Sequence, residues 1–251
     1  MIALVLAETA AGGAWLLWLG SLWGRVKRGY FILVGSVVAA CALLGTLAAS
    51  GAVGPGDAGR LAVWLVTGTA VLLGGSLAAM VLRLDRVGRV LGLLVVPVSA
   101  ASLTAFARIA GPSLWVALVQ LLAGAAFMGA VTDGLLLGHW YLTDRRLPRE
   151  HIQRFATLLI AAVVLETAGV ILLGFGATAT SPEFSPFLSI AGLTTWVALG
   201  MVACTALIAV LIRLSLRNPR PRAVQAATGF FYLAVITAFT AEMAAKVRLL
   251  G

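Results

Sequence analysis

The sequence predicts an all-α integral membrane protein: a polytopic bundle of eight transmembrane helices forming one domain over residues 1–251. Three observations predict it. Hydrophobic residues make up 61% of the chain and charged residues 11%, too few charges to wet the surface of a soluble globule. Apolar runs of about 20 residues, the length a helix needs to cross a bilayer core, fill nearly the whole length. The loops between them are short and alternate sharply in charge. A membrane barrel would instead show short alternating strands with a polar lumen face.

The first span covers 2–22 and carries Glu8 where a secretory leader would carry basic residues, so it reads as a retained helix. The second and third cover 29–50 and 61–82. The fourth, 90–108, contains Pro97, whose missing N–H predicts a kink. The fifth, 113–141, closes on the densest polar stretch of the chain, Thr132 to Tyr141, leading to Thr143 and Asp144. The sixth, 155–177, carries Glu166; the seventh, 187–212, ends against Arg213; the eighth, 223–247, carries Glu242 and Lys246. Cys41 and Cys204 both fall inside apolar runs and read as small packing residues rather than a disulfide.

Loop charge predicts the threading. The loops after spans one, three, five and seven hold 14 of the 18 basic residues. They are Arg25, Lys27 and Arg28; Arg83, Arg86 and Arg89; Arg145, Arg146, Arg149 and Arg154; and Arg213, Arg217, Arg220 and Arg222. The opposite side has Arg60, Arg108, Lys246 and Arg248. Cytoplasmic loops are enriched in Lys and Arg, which predicts a plasma or inner membrane protein with both termini outside. The net charge of +9 is therefore a topology signal, met by anionic lipid heads, and nucleic acid is rejected as a partner.

Close helix packing is expected from 28 glycines and from the small-xxx-small pairs Gly20/Gly24, Gly88/Gly92 and Gly134/Gly138, because helices in lipid associate through close backbone approach. A weak repeat at an offset of 125 aligns Glu8, Gly13 and Trp15 with Asp133, Gly138 and Trp140. It suggests two four-helix halves in parallel arrangement, as in duplicated transporters.

Four carboxylates lie within apolar spans: Glu8, Asp133, Glu166 and Glu242. A charge near the bilayer centre costs on the order of 2.5–3.5 kcal/mol on the lenient insertion scale, so such groups face the bundle interior, pair or stay protonated. At about 1.5 Å per residue, Asp133 falls in the inner half to the middle, Glu166 near the midplane, Glu8 in the outer half and Glu242 nearest the outer surface. A stepped set of this kind suits proton relay through Asp133, Glu166 and Glu8. The bland alternative is a bond from each acid to a Ser, Thr or backbone group, with Thr9, Thr132 and Thr167 adjacent. Glu242 and Lys246 stand at i and i+4, the spacing of an interfacial salt bridge with the lysine reaching outward, and that pair needs no function.

His139, Trp140 and Tyr141 form a second candidate set. Tyr and Trp belong at the lipid–water boundary, but a quinone head group needs only one or two hydrogen-bond donors beside an apolar channel, and His139 and Tyr141 could supply them. Haem is disfavoured because the other histidine, His151, lies in or beside a basic loop, leaving only a Met in a span as second ligand. No Cys/His spacing fits zinc or iron–sulfur, and no Walker, dinucleotide or serine-elbow motif occurs.

In helix count and orientation the chain resembles the eight-helix anchor subunits of the dimethyl-sulfoxide-reductase kind, although it shares no motif with them. The resemblance implies electron passage between quinol and a peripheral oxidoreductase. The leading expectation is a quinone-interacting, proton-handling membrane subunit of a redox complex, whose catalytic partner is another membrane or peripheral subunit, since the short loops leave no docking domain. A proton-coupled secondary transporter of a small or lipophilic solute is the alternative, and a structural or assembly subunit the third.

Overall fold

The computed structural model describes residues 1–20, 26–52, 56–110, 113–144, 146–175, 192–218 and 222–250. Gly24, Arg25, Arg145 and Arg220 lie outside the described residues, as do parts of the first, sixth and seventh expected spans.

Among the described residues eight helices follow in order: α1 Ile2–Gly20, α2 Arg28–Ala52, α3 Asp57–Val81, α4 Asp85–Ile109, α5 Leu114–Thr143, α6 Glu150–Leu173, α7 Leu193–Arg217 and α8 Arg222–Leu250. The described residues contain no strand. Seven helices, α2 to α8, are long and apolar enough to cross a membrane. α1, with 19 residues, is the shortest and runs among them. The result is a helical bundle of multi-pass membrane character.

Several helices extend beyond the apolar stretch that hydropathy detects. α3, α4 and α6 begin on Asp57, Asp85 and Glu150, acids that complement the partial positive charge of a helix N-terminus. α6 consequently starts five residues before the expected 155, and it stops at Gly174, whose φ of 76° breaks the helix. Gly192, at φ 75°, immediately precedes α7. α4 runs through Pro97 as one helix.

The neighbour relations repeat between the halves. α1 to α4 pack in sequence and close with α4 on α1; α5 to α8 do the same and close with α8 on α5. The two rings join where α1 packs on α5. That layout is the expected 4+4 arrangement, but the register of the sequence repeat does not carry over. A Cβ on Gly12 would overlap the carbonyl of Ala125 and crowd Gly129, so Gly12 lies level with residues near 127. Glu8 touches Gly124 and Asp133 lies about 13 Å further along α5. Glu8 and Asp133 are thus at different depths, and the acid-x4-Gly-x-Trp match is not a symmetry of the fold.

Two glycine pairs serve internal packing. Gly88 and Gly92 meet Met80 and Trp18, and Gly134 and Gly138 meet Phe231 and Thr228. The peripheral faces of α3 and α7 expose Trp64, Val71, Trp196 and Leu207, as lipid contact requires. Cys204 is also exposed and Cys41 half-buried, both as free thiols.

One end of the bundle gathers most of the described basic residues. There Lys27, before α2, pairs with Asp144, after α5, at 2.8 Å, and Arg28 approaches Asp85 at 3.8 Å. The Asp144 carboxyl is held below the usual carboxylate range, chiefly by its hydrogen bond from Lys27. At the opposite end Arg248 Nε donates to the Leu173 carbonyl at 3.2 Å.

Candidate functional site

Four helices converge on a polar cluster sealed inside the non-basic half of the bundle. α1 contributes Glu8, α5 Gln120, α6 Glu166, and α8 both Glu242 and Lys246; all five are 0% exposed. The i,i+4 spacing on α8 places Glu242 and Lys246 on one face, and that face points to the meeting of α1 and α5. Glu8 lies about 9 Å from the start of α1 and Glu166 about 10 Å from the end of α6, so both occupy one level.

Lys246 is the centre. Its Nζ donates to Glu242 Oε2 at 2.7 Å and to Gln120 Oε1 at 2.6 Å, and lies 2.6 Å from Glu8 Oε1. An ammonium has three N–H donors, and three acceptors surround it. Gln120 then works in both directions: its amide nitrogen donates to Glu166 Oε1 at 3.2 Å and makes a longer contact with Glu242 Oε2 at 3.5 Å. The Glu242 carboxyl adjoins those of both Glu8 and Glu166. Among the described residues, Glu8 Oε2, Glu166 Oε2 and Glu242 Oε1 accept no hydrogen bond.

Gly124 makes this crowding possible. One helical turn beyond Gln120, it presents no side chain where a Cβ would stand 2.7 Å from Glu8 Oε1 and 2.9 Å from each Glu242 oxygen. Gly169 on α6 faces Ala123 and the Gln120 backbone at ordinary van der Waals distance.

The structure corrects two expectations. Lys246 does not reach outward to the interface; it is fully buried and bonded inward, so Glu242 is central rather than incidental. The carboxylates also do not form a staircase: Glu8, Glu166 and Glu242 pool at one level, because α6 runs from Glu150 to Leu173 and Glu166 therefore lies nearer its C-terminal end than hydropathy suggests. Neighbouring hydroxyls are not their partners. Thr9 donates to the Val5 carbonyl and Thr167 to that of Val163.

Asp133 stands apart. It is 0% exposed, its Oδ1 lies 3.3 Å from where a Cβ on Gly13 would be, and neither oxygen has a hydrogen-bond partner among the described residues. The tight crossing of Gly12 and Gly129 separates it from the cluster.

His139, Trp140 and Tyr141 are not brought together. Successive helical residues point about 100° apart, and here they meet different surroundings. His139 is exposed, Trp140 packs its ring over Gly29, and Tyr141 donates its hydroxyl to the Pro148 carbonyl. The cavity of about 510 Å³ beside Tyr141 is lined by Arg149 and Arg222 but by neither His139 nor Trp140.

Sequence reasoning passed over Gln120. The signal was present: it is the lone amide in the apolar run of α5. Among the described residues no group of three His, Cys, Asp or Glu side chains is placed to hold a metal ion. No protein-family model matches the chain, and no curated protein or solved structure matches it.

Proposed function

We propose that this is a proton-handling membrane protein whose working site is the cluster of Glu8, Gln120, Glu166, Glu242 and Lys246, and that it couples proton movement to passage of a small or lipophilic solute. The observation that carries the reading is two carboxyl groups against one ammonium and a third joined to it through Gln120, in a space with no exposure. Fully ionised, the cluster would hold two surplus negative charges out of water. Adjoining carboxyls at such range do not both stay ionised. The neutral form keeps one carboxylate opposite Lys246 and two protons on the remaining acids. Releasing a proton then requires water, a cation or a rearrangement to reach the site, and that requirement couples proton release to another event. The groups facing it are Glu8 from α1, Gln120 from α5, Glu166 from α6, and Glu242 and Lys246 from α8; the Met1 amino group also feels the Lys246 charge.

The quinone reading relies on the same proton site, but the side chains of its head-group set, His139, Trp140 and Tyr141, turn to different surroundings, so transport ranks first. The basic end is assigned to the cytoplasmic face of a plasma or inner membrane by its Lys and Arg content.

Infrared spectroscopy of the protein in lipid tests the proton site. Protonated-carboxyl absorption is expected at neutral pH, weakened in Glu166→Gln and again in Glu166→Gln/Glu242→Gln. Its absence from the wild type would overturn the assignment. For transport, proteoliposomes with an internal pH dye are challenged with solute mixtures. Solute-dependent acidification lost in Glu166→Gln supports coupling, whereas stoichiometric quinone in an organic extract would favour the redox role.

A further inference from the structure

We propose that the groove between the basic ends of α6 and α7 is a binding site for the phosphate head group of an anionic phospholipid. It lies at the opposite end of the bundle from the proton cluster and does not depend on that reading. The groove encloses about 420 Å³, and Glu150, Gln153, Arg154, Thr157, Arg213 and Arg217 supply its polar wall.

The cations are held across two helices rather than scattered along a loop. Arg213 Nη1, on α7, donates to Thr157 Oγ1, on α6, at 2.7 Å. That single bond fixes the guanidinium over the groove and leaves four of its five N–H donors for a ligand. Two more contacts tie the same helix ends: Arg149 Nη1 to the Asn218 carbonyl at 3.1 Å, and Gln153 Nε2 to the Leu216 carbonyl at 3.5 Å. Glu150 meets Arg154 at 4.0 Å, and among the described residues no carboxylate pairs with Arg213 or Arg217. Three guanidiniums against one carboxylate leave the mouth with a surplus of positive charge, in the planar fork geometry that suits phosphate oxygens.

The walls below the mouth identify the source of the phosphate. On α6 the Arg154–Thr157 face continues at helical spacing into exposed Ala161, Val164, Leu165 and Ala168, and on α7 Val210, one turn from Arg213, is exposed. A phosphate ion has no use for an apolar stripe descending from its site; acyl chains do. Basic pockets between transmembrane helices at this level are suited to anionic lipid heads.

The full-length protein in a neutral detergent provides the test, with thermal unfolding followed during titration of short-chain phosphatidylglycerol, short-chain phosphatidylcholine or inorganic phosphate. Phosphatidylglycerol is expected to raise the midpoint saturably, and the other two to leave it unchanged. Arg213→Gln/Arg217→Gln should weaken the phosphatidylglycerol response by roughly ten- to thirty-fold, at about fivefold per cation. The control pair Arg83→Gln/Arg86→Gln, at another basic turn, should keep it. If the glutamine pair does not fold, Arg213→Lys/Arg217→Lys keeps the charge, loses the fork and should still weaken binding. Equal loss in the control pair would mean undirected surface charge and overturn the proposal. An equal response to inorganic phosphate would overturn the lipid assignment, and an equal response to phosphatidylcholine the anion assignment.

Discussion

Replacing Lys246 with Met tests whether the ammonium organises the cluster. The substitution keeps most of the side-chain volume but removes the positive charge, leaving Glu8 Oε1 without its ion-pair partner and Glu242 Oε2 and Gln120 Oε1 without the Lys246 donor. Removing one partner of a buried ion pair costs about 3–5 kcal/mol, because the other charge stays buried and uncompensated. Protonation of the carboxyl left without its counter-ion can absorb part of that. Its cost is about 1.36 kcal/mol for each pH unit above the ordinary Glu range near 4.3, so roughly 3–4 kcal/mol at pH 7. The two routes agree on about 3–4 kcal/mol, which at about 2–4 °C per kcal/mol for a chain of this length lowers the midpoint by roughly 6–16 °C. The sign of the pH dependence follows. Folded Lys246→Met retains a carboxyl proton that the unfolded chain gives up, so its stability falls as pH rises above about 4–5 and the deficit narrows in acid. Lys246→Met/Glu242→Leu, which removes both partners, should recover most of the loss. The assay is detergent-phase thermal unfolding read by tryptophan fluorescence from pH 5 to 8. A single variant within about 1 kcal/mol of wild type, with no recovery in the double variant, would refute the reasoning, since such a loss is ordinary for any substitution.

Three further outcomes follow from the packing and the basic end. Gly124→Ala sets a methyl group within 2.7–2.9 Å of the Glu8 and Glu242 oxygens; it should cost about 1–3 kcal/mol by overpacking and alter the protonated-carboxyl absorption, both read on one purified sample. Gly12→Ala drives a methyl group into the Ala125 backbone, which cannot swing aside as a side-chain end can. It should therefore lose more than Gly124→Ala in the same unfolding assay without any infrared change beyond that of unfolded protein. Asp144→Asn removes a carboxylate held below its usual range by Lys27. A depressed acid contributes stability that is complete above about pH 4 and lost as pH falls through its folded value, so the wild type should weaken on acidification more steeply than Asp144→Asn in detergent unfolding curves.

What the sequence alone determined is set by the solvent. A bilayer demands about 20 apolar residues for each crossing and satisfied backbone bonds along the way. Eight helices, their order and the clustering of Arg at alternate turns were therefore legible in composition and spacing. Glu8, Asp133 and Glu166 stood out for the same reason, as ionisable groups that lipid penalises. The helix ends were less legible, because hydropathy senses the apolar stretch while α3, α4 and α6 begin on Asp57, Asp85 and Glu150. Which residues meet was a tertiary matter. Lys246 at i+4 from Glu242 reads equally well as a surface pair or a buried one, and only the rotation of α8 against α1 and α5 decides between them. Gln120 lies 122 residues from Glu242, and no local pattern connects the two. His139 and Tyr141 are near in sequence, yet helical rotation sends one outward and leaves the other bonded to Pro148. The sequence set the price of burying each polar group; the helix packing, through the bare surface of Gly124, determined which of them are buried together.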